Sequence, residues 1–179
     1  MTNSYNPGDL NIYGAEDDFE METILDAIDE ATSSTAPDSA EPAGNDWGRL
    51  LAAPRRAASG LIRADLPNEP GVYLWLRGGV PQYVGKATSL QKRLSTHLGG
   101  GVSLAGSSLR RNVCELLFQI APNVTGKPTR QKVTTAQATA IQSWLQGCDV
   151  AWLRAGTERD AAALEARLLR LFRPPLNRV

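Results

Sequence analysis

Hydrophobic and polar positions divide the chain near residue 47 into two unlike parts. Residues 1–46 are acidic, poor in aromatics and end in the Ser/Thr/Ala/Pro-rich run "ATSSTAPDSAEPAGND", a pattern that predicts a largely disordered tail. Within it Met21, Ile24, Leu25 and Ile28 recur at helical spacing and predict one short amphipathic helix, too short to be stable alone. Residues 47–69 mix small apolar residues with Arg55, Arg56 and Arg63 and read as a lead-in packed on a domain spanning 70–179. That domain opens with a β-rich run, Val72 to Leu76, joined across Gly78-Gly79 to "VPQYV" as a hairpin. "TSLQKRLSTHL" predicts a helix capped by Thr88 or Ser89, with Leu90, Leu94 and Leu98 on its buried face. Residues 99–147 hold a flexible Gly-rich loop, "GGGVSLAGSS", and two helical patterns, "SLRRNVCELLFQI" and "TTAQATAIQSWLQ". "DVAWLRA" predicts a third strand and "TERDAAALEARLLRLF" a last helix stopped by Pro174-Pro175. The order β-β-α-(α-α)-β-α describes a small α/β sandwich with a three-stranded sheet.

Composition sharpens this division. The formal net charge of zero conceals twelve acids and no bases in residues 1–48, against nineteen bases and seven acids in residues 49–179, a net +12. Such a domain suits a polyanion, because each base that neutralises a phosphate releases condensed counterions; the alternative is a charge that serves solubility. The opposed charges also allow the tail to fold back over the basic face, or to dock a protein partner. A 42% hydrophobic share in 179 residues supports one ordinary core. The longest apolar runs fall short of the ~18 residues a membrane span needs. The acidic first thirty residues are unlike a secretory signal, so a cytoplasmic, non-membrane protein is expected. Cys114 and Cys148 lack the spacing of a disulfide framework or a zinc site and read as buried thiols.

The residues able to do chemistry cluster in the hairpin, the helix after it and the last helix. Tyr73 and Tyr83 share a sheet face only if the hairpin has an odd loop or a bulge near Pro81, because a strict two-residue loop sends the rings to opposite sides. Arg93 and His97, one helical turn apart, offer a planar fork for phosphate oxygens and an imidazole that can donate or shuttle a proton, or else both are simply solvated. Lys86 lies just before that helix, where a cation and free N–H groups attract anions. Glu165 has Ala161, Leu168, Leu169 and Phe172 as its helical neighbours, so its carboxylate needs a partner: a divalent cation or an arginine. On the opposite side, Arg167, Arg170 and Arg173 form a basic ridge suited to phosphates or merely to water, and Lys92, Arg110 and Arg111 are further candidates for phosphate contacts. Asn177, just past the diproline, carries almost no signal alone. Walker, dinucleotide-binding and Ser-His-Asp patterns are missing.

Taken together, "GVY", "YVG", Lys86, Arg93, His97, Glu165 and Asn177 resemble the GIY-YIG nuclease superfamily, which includes homing endonucleases, restriction enzymes and the first-incision domain of bacterial excision repair. The resemblance covers about residues 68–179. It implies a small α/β domain with a three-stranded antiparallel sheet flanked by helices, and divalent-metal-dependent hydrolysis of DNA phosphodiesters. By that resemblance Tyr73 contacts or deprotonates the attacking water and Tyr83 holds it or the phosphate. Arg93 binds the scissile phosphate, Glu165 holds one Mg²⁺ or Mn²⁺, Asn177 fixes the site, and Lys86 and His97 support it. The alternative in another class is a DNA-binding or interaction protein that keeps this fold without cutting.

Overall fold

The computed structural model of the chain describes residues 43–178. The expected helix around Met21 to Ile28 lies outside the described residues. The chain runs α1 (Ala43–Ala52), β1 (Arg56–Ala57), β2 (Gly71–Arg77), β3 (Val80–Ala87), α2 (Leu90–Leu98), α3 (Ser108–Phe118), α4 (Pro122–Thr125), α5 (Thr135–Gln146), β4 (Asp149–Arg154) and α6 (Glu158–Leu171). The sheet is antiparallel in the order β1-β4-β2-β3. The three expected strands are its body, and β1 adds a fourth of two residues at the edge.

Because β2 is central and covered on both faces, its apolar run is continuous rather than alternating. Val72, Leu74 and Leu76 point to a layer built with Trp47, Leu50, Leu164 and Leu168 of α1 and α6. Tyr73 and Trp75 point to the opposite layer, with Leu90 and Leu94 of α2, Leu109 and Val113 of α3, and Ile141 and Leu145 of α5. The hairpin turns through Gly78 and Gly79 at φ of 60° and 90°, values that favour glycine in a two-residue turn matching strand twist. Arg77 pairs with Val80 and Leu76 with Pro81, but Trp75 pairs with Tyr83, so Gln82 is bulged out beside Pro81. That extra residue brings Tyr83 onto the Tyr73 face, as the sequence required.

Two sequence expectations are corrected. The tail does not end at residue 46: Asp46 and Trp47 are both buried in α1. The Trp47 indole donates to the Leu168 carbonyl at 2.9 Å, and Asp46 accepts from Arg167 Nε at 2.6 Å. The acid counted with the tail is the partner of a base in the domain, and charge counting cannot see such a pair. The Gly-rich loop is also not loose. Leu104 is fully buried, Arg110 donates to the Gly101 and Ser103 carbonyls, and Arg111 donates to those of Leu104 and Ala105.

Candidate active site

The outer edge of β3 organises the site. An edge strand leaves alternate N–H and C=O groups unpaired unless something covers them. Here the Leu176 N–H donates to the Gln82 carbonyl at 3.0 Å, and the Asn177 side chain acts as a strand would. Its Nδ2 donates to the Val84 carbonyl and its Oδ1 accepts the Val84 N–H, both at 2.7 Å. One step further along the edge, Glu165 Oε1 accepts the Lys86 N–H at 3.1 Å. Asn177, silent in the sequence, therefore fixes the strand that carries Tyr83 and Lys86. Asn112 reinforces this by donating to the Leu176 carbonyl at 2.6 Å.

On one side of this edge lies a buried hydrogen-bond chain. The Tyr73 and Tyr83 rings stack with centroids 6.2 Å apart. Arg93 Nε donates to the Tyr73 hydroxyl at 3.2 Å, and that hydroxyl lies 2.8 Å from His97 Nε2. His97 Nδ1 in turn meets Ser107 Oγ at 2.6 Å, and the Tyr83 hydroxyl meets Ser108 Oγ at 2.8 Å. Gly85 makes the crowding possible: a Cβ there would come within 2.4 Å of the Tyr73 hydroxyl oxygen and 2.9 Å of Tyr83 Cε1. Burial foremost, with the Tyr83 phenol next, pushes Tyr73 far above the usual phenol range, so it stays protonated. Burial, followed by the Arg93 and Arg110 guanidiniums, holds His97 well below its usual range, so the imidazole is neutral. Burial alone would lower Arg93, but the two phenols and Glu165 outweigh it and the net direction is upward.

Across the edge, α6 presents a more exposed ionic pair. Lys86 Nζ stands 3.2 Å from Glu165 Oε2, with the lysine side chain 51% exposed and the glutamate 19%. Both sides open into one cleft of about 820 Å³ whose lining includes Tyr83, Lys86, Lys92, Arg93, Arg159 and Glu165. Tyr73 does not line it; fully buried, its hydroxyl lies against Gly85 and supports Arg93. The spatial grouping of hairpin, α2 and last helix expected from the sequence is present. The partner of Glu165 is a lysine rather than an arginine.

Glu165 could hold a divalent cation, and its setting fits one. The Lys86 ammonium already stands as a positive centre against Oε2, and Glu158 lines the same cleft. Among the described residues no group of three or more His, Cys, Asp or Glu could form a closed metal cage. A single carboxylate in a roomy cleft instead suits a hard ion such as Mg²⁺, which keeps much of its water and binds through one or two carboxylates and a phosphate.

Several basic residues expected to meet DNA are placed differently. Lys92 lines the cleft. Arg110 is 4% exposed and both its Nη groups donate to loop carbonyls, while Arg111 also reaches back to the loop. Arg167 is tied to buried Asp46 on the α1 side. Arg170 and Arg173 are exposed but lie outside the cleft lining. In their place α6 offers Arg159, which the sequence reading passed over. Its signal was available, because Glu158, Ala162 and Glu165 repeat at helical spacing and mark the cleft-facing stripe beside it. Ser107 ends the Gly-rich loop and Ser108 opens the helical pattern after it, and neither position carries a periodic signal for its contact.

A family model described as a GIY-YIG catalytic domain matches residues 81–179. UvrABC system protein C of Deinococcus radiodurans is 53% identical over 36 residues, which are 20% of this chain and 6% of that protein. The chain thus spans a small part of the length of this curated relative. Among solved structures, the GIY-YIG N-terminal endonuclease domain of UvrC from Thermotoga maritima, bound to its catalytic magnesium, is 24% identical with a TM-score of 0.36. That alignment covers 75% of this chain and 97% of the other. A point mutant of the same domain, also bound to its divalent cation, gives 22% identity and a TM-score of 0.37 with the same coverage.

Proposed function

This chain belongs to the GIY-YIG catalytic-domain family, and we propose that it is a divalent-metal-dependent endonuclease that hydrolyses DNA phosphodiester bonds. The observation that supports this best is the meeting of Arg93, Tyr83, Lys86 and Glu165 on one cleft astride the β3 edge. A guanidinium with donors only and a carboxylate with acceptors only face the same space, the combination a phosphate and a hard cation need.

Arg93 binds the scissile phosphate. Its Nε is committed to Tyr73 and one Nη1 hydrogen to the Gly106 carbonyl, so it arrives oriented with its remaining donors to spend. Tyr83, whose hydroxyl is fixed by Ser108 at the cleft wall, holds the attacking water by hydrogen bonding. Tyr73 positions Arg93, and His97 holds Tyr73. Lys92 and Arg159 line the cleft and grip phosphates beside the scissile one. Glu165 would hold Mg²⁺ or Mn²⁺, which when bound would supply charge stabilisation and more acidic water; the attacking water's proton leaves to solvent through the open cleft as its oxygen bonds to phosphorus and the P–O bond to the leaving strand breaks. Lys86, half exposed at the cleft, would pair with a phosphate of the DNA backbone. The cationic side chains that line the cleft and the net basic charge of the domain support DNA as the partner.

Supercoiled plasmid incubated with the full chain tests this reading. Nicking that needs Mg²⁺, stops with EDTA and is lost in Glu165→Gln and reduced in Tyr83→Phe is expected. Absence of nicking by the wild type, or equal nicking by all three proteins, overturns it.

A further inference from the structure

Three consecutive residues each touch a different side chain of the cleft machinery. The Gly106 carbonyl accepts from Arg93 Nη1 at 3.2 Å. Ser107 Oγ lies 2.6 Å from His97 Nδ1, and Ser108 Oγ lies 2.8 Å from the Tyr83 hydroxyl. The tripeptide is itself anchored. Buried Leu104 precedes it, Arg110 and Arg111 pin the loop carbonyls, and Ser107 caps α3 by accepting the Arg110 N–H at 3.1 Å.

Hydrogen counting gives this contact a direction. Arginine has no acceptor, so the Tyr73 oxygen must accept from Arg93 Nε and has a single hydrogen to give. Buried Tyr73 has His97 Nε2 2.8 Å away, and its protonated hydroxyl has that ring nitrogen within hydrogen-bond reach as an acceptor. Donation to Nε2 requires that nitrogen to be bare, which places the ring hydrogen on Nδ1, facing Ser107 Oγ. Ser107 then accepts twice, from His97 and from the Arg110 N–H. The opposite tautomer would direct two donors at the Tyr73 oxygen and leave the phenol hydrogen to find another acceptor.

We propose that Gly106-Ser107-Ser108 is the positioning element of the site, with Ser107 holding His97 as the Nδ1–H tautomer that orients Tyr73 and Arg93, and Ser108 setting the Tyr83 hydroxyl. Ser107 and Ser108 are positioning residues, since they act through others. The inference rests on the endonuclease reading for its kinetic consequence but not for the tautomer.

His97 is the only histidine of the chain, so an untagged, ¹⁵N-labelled full-length protein gives one imidazole spin system. Long-range ¹H–¹⁵N spectra at pH 7.5 are expected to show the Nδ1–H tautomer in the wild type. Ser107→Gly keeps a residue tolerated at a helix N-cap while deleting the hydroxyl, and is expected to give tautomer-averaged shifts. Plasmid kinetics should show kcat lowered roughly tenfold to a hundredfold in Ser107→Gly and Ser108→Ala with KM for DNA within about twofold. Ser108→Thr, which retains the hydroxyl, should recover most of the loss. An Nδ1-bare or doubly protonated imidazole in the wild type overturns the proposal whatever the kinetics. So do a Ser107→Gly spectrum and kcat that both match the wild type, or a Ser108→Thr no better than Ser108→Ala. A wild type with no nuclease activity overturns the endonuclease reading instead, and the imidazole spectra still decide the Ser107 contact.

Discussion

The two walls of the cleft are built on opposite principles. On the α2 side, Tyr73 and His97 are fully buried, Ser107 is 1% exposed, and each is held by partners at hydrogen-bond distance before any ligand arrives. On the α6 side, Glu165 pairs with Lys86, whose side chain is half exposed and can swing away at little cost. The buried wall fixes direction, since dipoles placed before reaction need no reorganisation during it. The open wall fixes charge, and its lysine can give way to another cation. A site of this kind should be sensitive to chemistry on the open side and to shape on the buried side.

Removing the carboxylate should have the largest effect. Glu165→Gln keeps the size and the contact to the Lys86 N–H but loses the charge, and should lower plasmid nicking by roughly 10²- to 10³-fold, the loss typical when one preorganised charge-stabilising group is removed. Thermal unfolding should be nearly unchanged, because the partner lysine is exposed. A large fall in melting temperature would mean that the open wall is structural and would remove the contrast.

Gly85→Ala attacks the buried wall through shape alone. A methyl within 2.4 Å of the Tyr73 oxygen and 2.6 Å of its Cζ has to displace a ring packed on all sides. Destabilisation of about 1–3 kcal/mol in urea unfolding is expected, together with loss of nicking. Unaltered stability would show that the buried wall yields as readily as the open one.

Protonation probes the same wall more gently. The folded-state pKa of His97 is depressed relative to the unfolded chain, so below pH ~6.5 the unfolded state binds the extra proton and stability falls as pH falls. Between that point and the folded-state pKa the slope should approach ~1.4 kcal/mol per pH unit, with stability regained as pH rises to neutrality. His97→Gln should flatten this dependence between pH 7 and 5. An equal slope in the variant would assign the effect to other groups.

How far the sequence foretold each wall follows from the range of the interactions. Periodicity located α2, α6 and the hairpin, because a strand or helix face is a local pattern. The need for either an odd loop or a bulge near Pro81 followed from two tyrosines having to share a face, and the structure uses the bulge. Glu165 stood out because a carboxylate among Ala161, Leu168 and Leu169 demands a partner. The missing parts depend on contacts between distant segments. Asp46 looked like tail until Arg167 met it, 121 positions away. Arg110 and Arg111 looked free for DNA until the loop carbonyls took them. Ser107, the N-cap of α3, and Ser108, its first residue, are ordinary polar positions until the fold brings them to His97 and Tyr83. Short polar residues that bond to backbone or to one distant side chain leave no periodic trace.

The smallest expected change is also the most discriminating for the open wall. Lys86→Met retains the aliphatic stem and the backbone N–H that binds Glu165 Oε1, and removes only the ammonium from Oε2. An exposed pair of this kind contributes at most about 1 kcal/mol, so unfolding should hardly respond. If the lysine competes with a metal ion for the carboxylate, deleting it releases that same energy to the metal. The half-saturating Mg²⁺ concentration for nicking should then fall by up to about fivefold, the equilibrium factor equivalent to ~1 kcal/mol. The maximal rate should fall as well, through loss of a contact to the DNA backbone. A Mg²⁺ requirement that rises instead would mean that Lys86 holds Glu165 in place for the metal, and the open wall would then be preorganised in the same way as the buried one.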